Sequence, residues 1–281
     1  MMKQDTIAVI TTIYRGDNVA FAREAFNSII NQTLKGFEVR VYLHVDGEIT
    51  PEQNLLLDDF RKLFYKIIVS RENIGLALGL NRLLESLADE RYIFRMDIDD
   101  ISLPHRFETQ INFLEKNPHI DLCGCCSTEI DEAGRVLFQR DYPEFHHDIV
   151  ARLPRCNPIL HPTYCIRGST MRSQPLRYRP LNLNEDLGFV FDAVATGWRV
   201  HNLPERLFCW RLGPRFFARR SLRRSWIEFC VYTTGCWRLW GLNYRLIWPV
   251  VRLATRLAPK SFMARIYQSS LRNKILGRVK N

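Results

Sequence analysis

Asp97, Asp99 and Asp100 put three carboxylates into four residues, at the end of the run Tyr92-Ile93-Phe94-Arg95-Met96-Asp97-Ile98-Asp99-Asp100. The run opens apolar and β-prone, which predicts a strand that delivers acids at its C-terminal end. If the strand continues, Asp97 and Asp99 point the same way and Asp100 turns out. Hard divalent ions such as Mg²⁺ are held by carboxylate oxygens together with the oxygens of a bound phosphate. An acidic strand-to-loop turn capped by aspartates has the same local appearance. The rest of the chain decides between the two.

Other elements have to meet those acids. Residues 7–13 read as a buried strand, followed by a polar turn over 14–18. Residues 20–32 have helical spacing, with Phe21, Ala25, Ile29 and Ile30 on one face. Residues 39–45 form a second strand that ends at Asp46-Gly47. Residues 52–63 read as helix, 66–70 as a third strand, 71–75 as a loop, 76–88 as helix and 92–96 as a fourth strand. Strands alternating with helices predict an α/β domain with a mainly parallel sheet and ligands at the C-terminal strand ends. Residues 120–130 read as a further strand and 131–135 as a hairpin turn.

The charge is unevenly placed. The chain has 281 residues, 40 Lys and Arg, and 30 Asp and Glu. Seventeen of the basic and two of the acidic residues fall from Glu205 onward, leaving 23 and 28 before it. The body is therefore at about −5 and the tail at about +15. Such asymmetry asks for an acidic partner, an anionic membrane or a nucleic acid. The eight cysteines lack metal-site spacing, and reduced cytosolic thiols are the expectation. The start MMKQDTIAVITTIY has no signal-peptide pattern, and no stretch reaches the roughly 18 uncharged apolar residues that cross a bilayer.

The order "AVITTIY…SIINQTLKGFEVRVYLHVDG…NIGLALGLNRLLE…YIFRMDIDDISLPHRFETQINFLEKNP" resembles the family-two glycosyltransferases of the GT-A fold, from about Ile7 to Arg211. The resemblance implies that Thr11, Ile13 and Tyr14 line a uracil base and that Asp46 contacts it. His44-Val45-Asp46-Gly47 keeps one acid where the family usually has two. Asn73, Gly75 and Asn81 would lie beside the nucleotide, and Asp97 near ribose or sugar. Asp99 would hold Mn²⁺ or Mg²⁺ across the two phosphates, with Asp100 beside it. Pro104 and Arg106 would start the next helix, with Phe107, Ile111 and Leu114 in the core.

Further along, "CNPILHPTYCIRGS" is similar to a stretch of bacterial polysaccharide enzymes and places His161 near the diphosphate or acceptor. The segment 178–187 stands where the family carries its catalytic acid, so Asp186 is implied as the base of an inverting transfer. Glu185 and Asp186 also suit a helix N-terminus by charge alone. "ATGWRVHNLPERLFCWR" matches the family's closing stretch, with Arg211 as its last arginine.

Residues 213–281 differ in character. Trp237, Trp240, Tyr244, Trp248 and Val251 recur at helical steps beside Arg238, Arg245, Arg252 and Arg256, with Pro249 and Pro259 expected to divide the segment into short helices. An aromatic face flanked by arginines suits a helix lying in a membrane interface; the same stripe also suits packing on the catalytic domain. The expectation is a catalytic domain over 1–212 with a basic helical tail over 213–281. It would be a metal-dependent inverting glycosyltransferase taking a UDP-sugar donor and a lipid-linked glycan acceptor. Its place would be cytoplasmic and peripheral, on the inner face of an anionic membrane, with no nucleic acid partner. A sugar-phosphate nucleotidylyltransferase would open with a glycine-rich loop and lysine, and "TTIYRGDN" has neither. A nucleic-acid-binding protein would explain the tail but not the acidic body.

Overall fold

The computed structural model describes residues 4–181, 184–213, 222–257 and 279–280. Four strands, β1 (Asp5–Tyr14), β2 (Phe37–Asp46), β3 (Phe64–Ser70) and β4 (Tyr92–Arg95), pair in parallel in the order β4-β1-β2-β3. Between them run α1 (Val19–Ile30), α2 (Pro51–Asp59) and α3 (Leu76–Glu85). Alternation along β1 explains why both faces of the sheet are covered. Ile7, Val9 and Ile13 enter one apolar core with Phe26, Phe94 and Phe107, while Ala8 and Ile10 enter the other with Leu80, Ile93 and Trp198.

Beyond β4 the sheet changes sense. β8 (Cys165–Arg167) pairs antiparallel with β4 and with β6 (Leu122–Ile130), and β7 (Val136–Arg140) closes a hairpin on β6. The turn between β6 and β7 is held by Asp131 and Arg135, as their residue types suggested. β9 (Val200–Arg211) runs parallel to β6 and also pairs with β5 (Ile101–Ser102), so it returns to the loop that carries the acids. A mainly parallel sheet is thus found in the first half, and an antiparallel extension completes it.

α4 (Arg106–Lys116) starts with Arg106, whose side chain is wholly buried and has no carboxylate in ion-pair reach among the described residues. A lone buried cation costs several kcal/mol. Here its Nη2 donates to the Arg95 carbonyl at 3.0 Å and its Nε to Gln110 Oε1 at 2.9 Å. It also lies over the rings of Phe94, Phe107 and Phe208. Gln110 Nε2 in turn donates to the carbonyls of Cys123 (3.1 Å) and Thr163 (2.9 Å), so one polar brace joins β4, β6 and the turn at His161–Thr163.

The remaining helices are α5 (His146–Arg152), α6 (Gly168–Ser173), α7 (Glu185–Ala195), α8 (Leu222–Trp240) and α9 (Ile247–Leu257). α8 is built into the body: Val231, Tyr232 and Cys236 belong to the second core. Tyr232 meets Phe191 of α7 edge-on at 6.1 Å, and a Cβ at Gly235 would stand 2.5 Å from the Phe191 ring. Only glycine lets the two helices approach so closely. α8 ends at Gly241, and Asn243 caps the following turn by accepting from the Arg245 N–H. Pro249 therefore does not divide the tail; it sits in the first turn of α9, where a missing N–H costs nothing. Pro259 lies outside the described residues.

Candidate active site

The parallel register brings the C-terminal ends of the strands to one edge. Tyr14 stands opposite Asp46, Asp46 opposite Ser70, and the Met96 N–H reaches the Ile10 carbonyl. Tyr14 is exposed, whereas Thr11 is buried and Ile13 spends its side chain on the core. Gln53, at the start of α2, donates to the carbonyls of Tyr14 and Asp17, both at 2.9 Å, and so shapes the loop after β1. The Asp46 carboxylate accepts from the N–H groups of Ile74 (2.7 Å) and Gly75 (2.9 Å), which anchors the loop carrying Asn73 onto β2. Gly47 has φ +82°, and a Cβ there would lie 2.8 Å from the Asn73 nitrogen, so this crossing requires glycine.

β4 stops at Arg95, so the acids are arranged by a turn rather than by strand alternation. Arg95 is fully buried and grips both oxygens of Asp97, the Nη1–Oδ2 contact measuring 2.6 Å. Asp97, Asp99 and Asp100 each bring one carboxylate oxygen to within 4.8 Å of the others. Asp100 is buried; its Oδ1 accepts from the Arg211 N–H at 2.8 Å, while its Oδ2 has no protein partner. Burial first, then the charges of Asp99 and Asp97, push the Asp100 carboxyl well above the ordinary carboxylate range. An orphaned buried oxygen beside two more carboxylates is a donor set of hard oxygens, and it fits Mg²⁺ or Mn²⁺. Asp99 and Asp100 are the residues that would hold the ion, since Arg95 already occupies Asp97.

Arg211 works at the same turn. Its Nε donates to the Asp99 carbonyl at 2.9 Å, its Nη1 to the carbonyls of Asp131 (3.3 Å) and Glu132 (3.2 Å), and its Nη2 pairs with Glu24. The guanidinium lies 4.2 Å from the centre of the Phe21 ring. Its hydrogen-bonding edges thus face the protein, and they tie β9, α1 and the β6–β7 turn to the acidic loop. Asn81 is used in a similar way: it exchanges two 2.8 Å hydrogen bonds with the backbone of Tyr178.

Asp186 stands in the first turn of α7 and accepts from Asn157 Nδ2 at 2.8 Å. Burial raises its carboxyl above the ordinary value, and the Leu187 N–H, then the Asn157 hydrogen bond and the Arg95 charge, pull it back in part. His161 is buried against Tyr164 and Tyr178, with Nε2 3.0 Å from the Tyr178 hydroxyl. Burial, followed by the Arg95 charge, drops its pKa well below the usual histidine range, so its ring is neutral at neutral pH. Arg95 binds Asp97 through its side chain, and its N–H donates to the carbonyl of Tyr164, the residue packed against His161, at 3.0 Å, which ties the acidic turn to the His161 turn.

Three residues here escaped the sequence reading. Arg95 was visible only as a charge interrupting an apolar strand, and Asn157 only as part of a quoted motif. Asp17, taken as a turn residue, accepts from the Tyr14 N–H at 2.8 Å; burial chiefly, with the charges of Asp99, Asp97 and Asp46 and against that hydrogen bond, pushes its carboxyl up to about 8.

Residues 8–177 match the family model described as Glycosyl transferase family 2. The amylovoran biosynthesis glycosyltransferase AmsE of Erwinia amylovora is 29% identical over 93% of this chain and 97% of its own. The UDP-Gal:alpha-D-GlcNAc-diphosphoundecaprenol beta-1,3-galactosyltransferase of Escherichia coli is 26% identical over 96% and 99%. In three dimensions, S. aureus TarS 1-349 in complex with UDP-GlcNAc superposes with a TM-score of 0.66 at 17% identity, covering 95% of this chain and 74% of that one. That likeness concerns the fold, which is GT-A.

Proposed function

We propose a donor, a base and an acceptor for a chain that belongs to glycosyl transferase family 2. The chain is a glycosyltransferase; the donor we assign is a UDP-sugar, and the acceptor is a lipid-linked glycan of bacterial surface polysaccharide synthesis, met at the inner face of an anionic membrane. The observation that supports the reading is geometric: Asp97, Asp99 and Asp100 bring carboxylate oxygens within 4.8 Å of one another, with one buried Asp100 oxygen unpartnered, while Asp186 is held separately by Asn157. In this reading the first cluster serves the diphosphate and Asp186 is the base. The names of the relatives support the substrate class: one takes UDP-Gal and a diphosphoundecaprenol-linked sugar.

In this reading the acceptor hydroxyl oxygen bonds to the anomeric carbon of the donor sugar. Its proton passes to the Asp186 carboxylate, held ready by Asn157. The bond from that carbon to the diphosphate oxygen breaks, the electron pair leaves with UDP, and the configuration inverts. A divalent cation held by Asp99 and Asp100 would supply positive charge against the departing diphosphate. Arg211 and the Asp46–Gly75 hydrogen bond keep the two loops in place meanwhile. The strand-one loop, with Tyr14, and the loop of Asn73 are left to take the base and ribose.

The test is UDP release from a panel of UDP-sugars, with a synthetic lipid-diphosphate sugar as acceptor and Mn²⁺, Mg²⁺ or EDTA present. One UDP-sugar should turn over in a metal-dependent way, and Asp99→Ala should lose most of that activity. Full turnover in EDTA would remove the metal from the scheme, and no turnover with any UDP-sugar would remove the donor.

A further inference from the structure

Two arginines beside the base stand without a carboxylate. Arg152 closes α5, and Arg155 follows in a turn where the Arg152 carbonyl accepts from the Arg155 N–H at 2.9 Å. Both are half-buried, and neither has an ion-pair partner among the described residues. Arg152 Nη2 and Arg155 Nε are shut off from solvent with no hydrogen-bond partner. Buried N–H groups are nearly always paired, so two orphans in one turn ask for a reason. A basic residue in the last turn of a helix suits its carbonyls, yet Arg152 Nη2 donates to none of them. Arg155 is steadied from the other side. Its guanidinium lies 4.2 Å from the centre of the Trp248 ring on α9, and Arg252 donates to its carbonyl at 2.9 Å. Stacking takes the flat face of a guanidinium and leaves its edge of N–H groups able to bind. Arg252 also holds Glu228 at 2.6 Å, so that carboxylate already has its cation.

The same turn runs on to Asn157, whose Nδ2 donates to Asp186 at 2.8 Å. Arg155 and Asn157 are two residues apart, so their α-carbons lie within about 7 Å. The carboxylates of Asp97, Asp99 and Asp100 belong to another loop, the one after β4. An anion at the two arginines would therefore sit on the turn of the base and not on the loop assigned to the donor diphosphate. Guanidinium edges with no carboxylate between them match phosphate oxygens in charge and in shape. We propose that Arg152 and Arg155 bind the diphosphate of the acceptor, with the sugar it carries reaching Asp186. The reacting hydroxyl then belongs to a sugar close to the diphosphate, because Asn157 follows Arg155 so closely. The identity of this anion rests on the acceptor proposed above; the anion site itself rests on the two unpartnered guanidinium groups.

The direct test is calorimetric titration of the full chain with a short alkyl diphosphate, with UDP and Mn²⁺ in excess to fill the donor site. Wild type should bind it. The double variant Arg152→Gln, Arg155→Gln should weaken that binding at least about tenfold, the equivalent of about 1.4 kcal/mol. The double variant Arg152→Lys, Arg155→Lys should keep most of it, since an ammonium still meets phosphate as a point charge. Transfer gives a second readout. Wild type should prefer a sugar carried on the alkyl diphosphate to the same sugar on a neutral alkyl group, and the glutamine variant should lose that preference through KM. Equal titration of wild type and the glutamine variant would overturn the proposal. So would equal loss in the lysine variant, which would make the two arginines structural. A preference that persists in a variant without anion binding would assign the pair to a free anion or a lipid headgroup instead. Absence of transfer by wild type to any acceptor would count against the proposed reaction, and the titration would still decide the anion site.

Discussion

The acidic loop and the basic tail look like mirror images in composition, yet the structure treats their charges oppositely. At the loop, the arginines are inside and the acids face the site: Arg95 and Arg211 are buried, and each binds groups of the turn that carries Asp97, Asp99 and Asp100. At the tail, Arg252 and Arg238 pair with Glu228 and Asp192, Arg245 lies over the rings of Trp240 and Tyr244, and Trp237, Leu242, Tyr244, Ile247 and Val250 are left outward. Net charge is therefore a poor guide to which charges are available. A long cationic side chain is free for a ligand only if tertiary packing has not already given it a carboxylate or a carbonyl.

Substitutions at four positions sharpen that contrast. The largest effect should come at Asp186, since loss of a general base costs about 10²–10⁴ in rate. Asp186→Asn should keep UDP binding and lose turnover. Burial raises the Asp186 carboxyl, and the base works only when deprotonated. Wild-type activity should therefore fall with decreasing pH at a higher pH than an exposed aspartate would impose, and the variant should lack that limb. An unaltered rate in the variant would take the base elsewhere.

Arg211→Met should be next. It removes the hydrogen bonds to the carbonyls of Asp99, Asp131 and Glu132 and the pair with Glu24, each hydrogen bond contributing about 0.5–1.5 kcal/mol. A fall of about 10 °C in melting temperature is the expectation, together with weaker metal activation. Arg211→Lys should not rescue it, because an ammonium cannot fork to three carbonyls. Metal activation as in wild type in a destabilised variant would make Arg211 structural alone.

The smallest effects compare two tail arginines. Arg252→Gln breaks a largely buried pair with Glu228 and should cost about 1–3 kcal/mol in denaturant unfolding. Arg245→Gln gives up ring contacts at the surface and should cost less than about 1 kcal/mol. Equal costs would mean that the tail does not distinguish inward from outward arginines.

Local pattern was enough for much of the molecule. The run of strands and helices through β4, the turn residues at their ends and the acid triplet are written in neighbouring residues, because pleat, helical period and turn chemistry act over a few positions. So Tyr14, Asp46, Asn73 and Asp97 could be placed at one sheet edge before any coordinates. Family pattern added Asp186. What only the tertiary structure decided were partners far apart in the chain. Asn157 serves Asp186 from 29 positions away, Arg211 meets Asp99 across 112, and Arg238 meets Asp192 across 46. The antiparallel half of the sheet belongs to the same class, because which remote strand β6 pairs with is not carried by its own alternation. Sequence spacing sets which way a side chain leaves its own element; the fold alone sets what stands there to receive it.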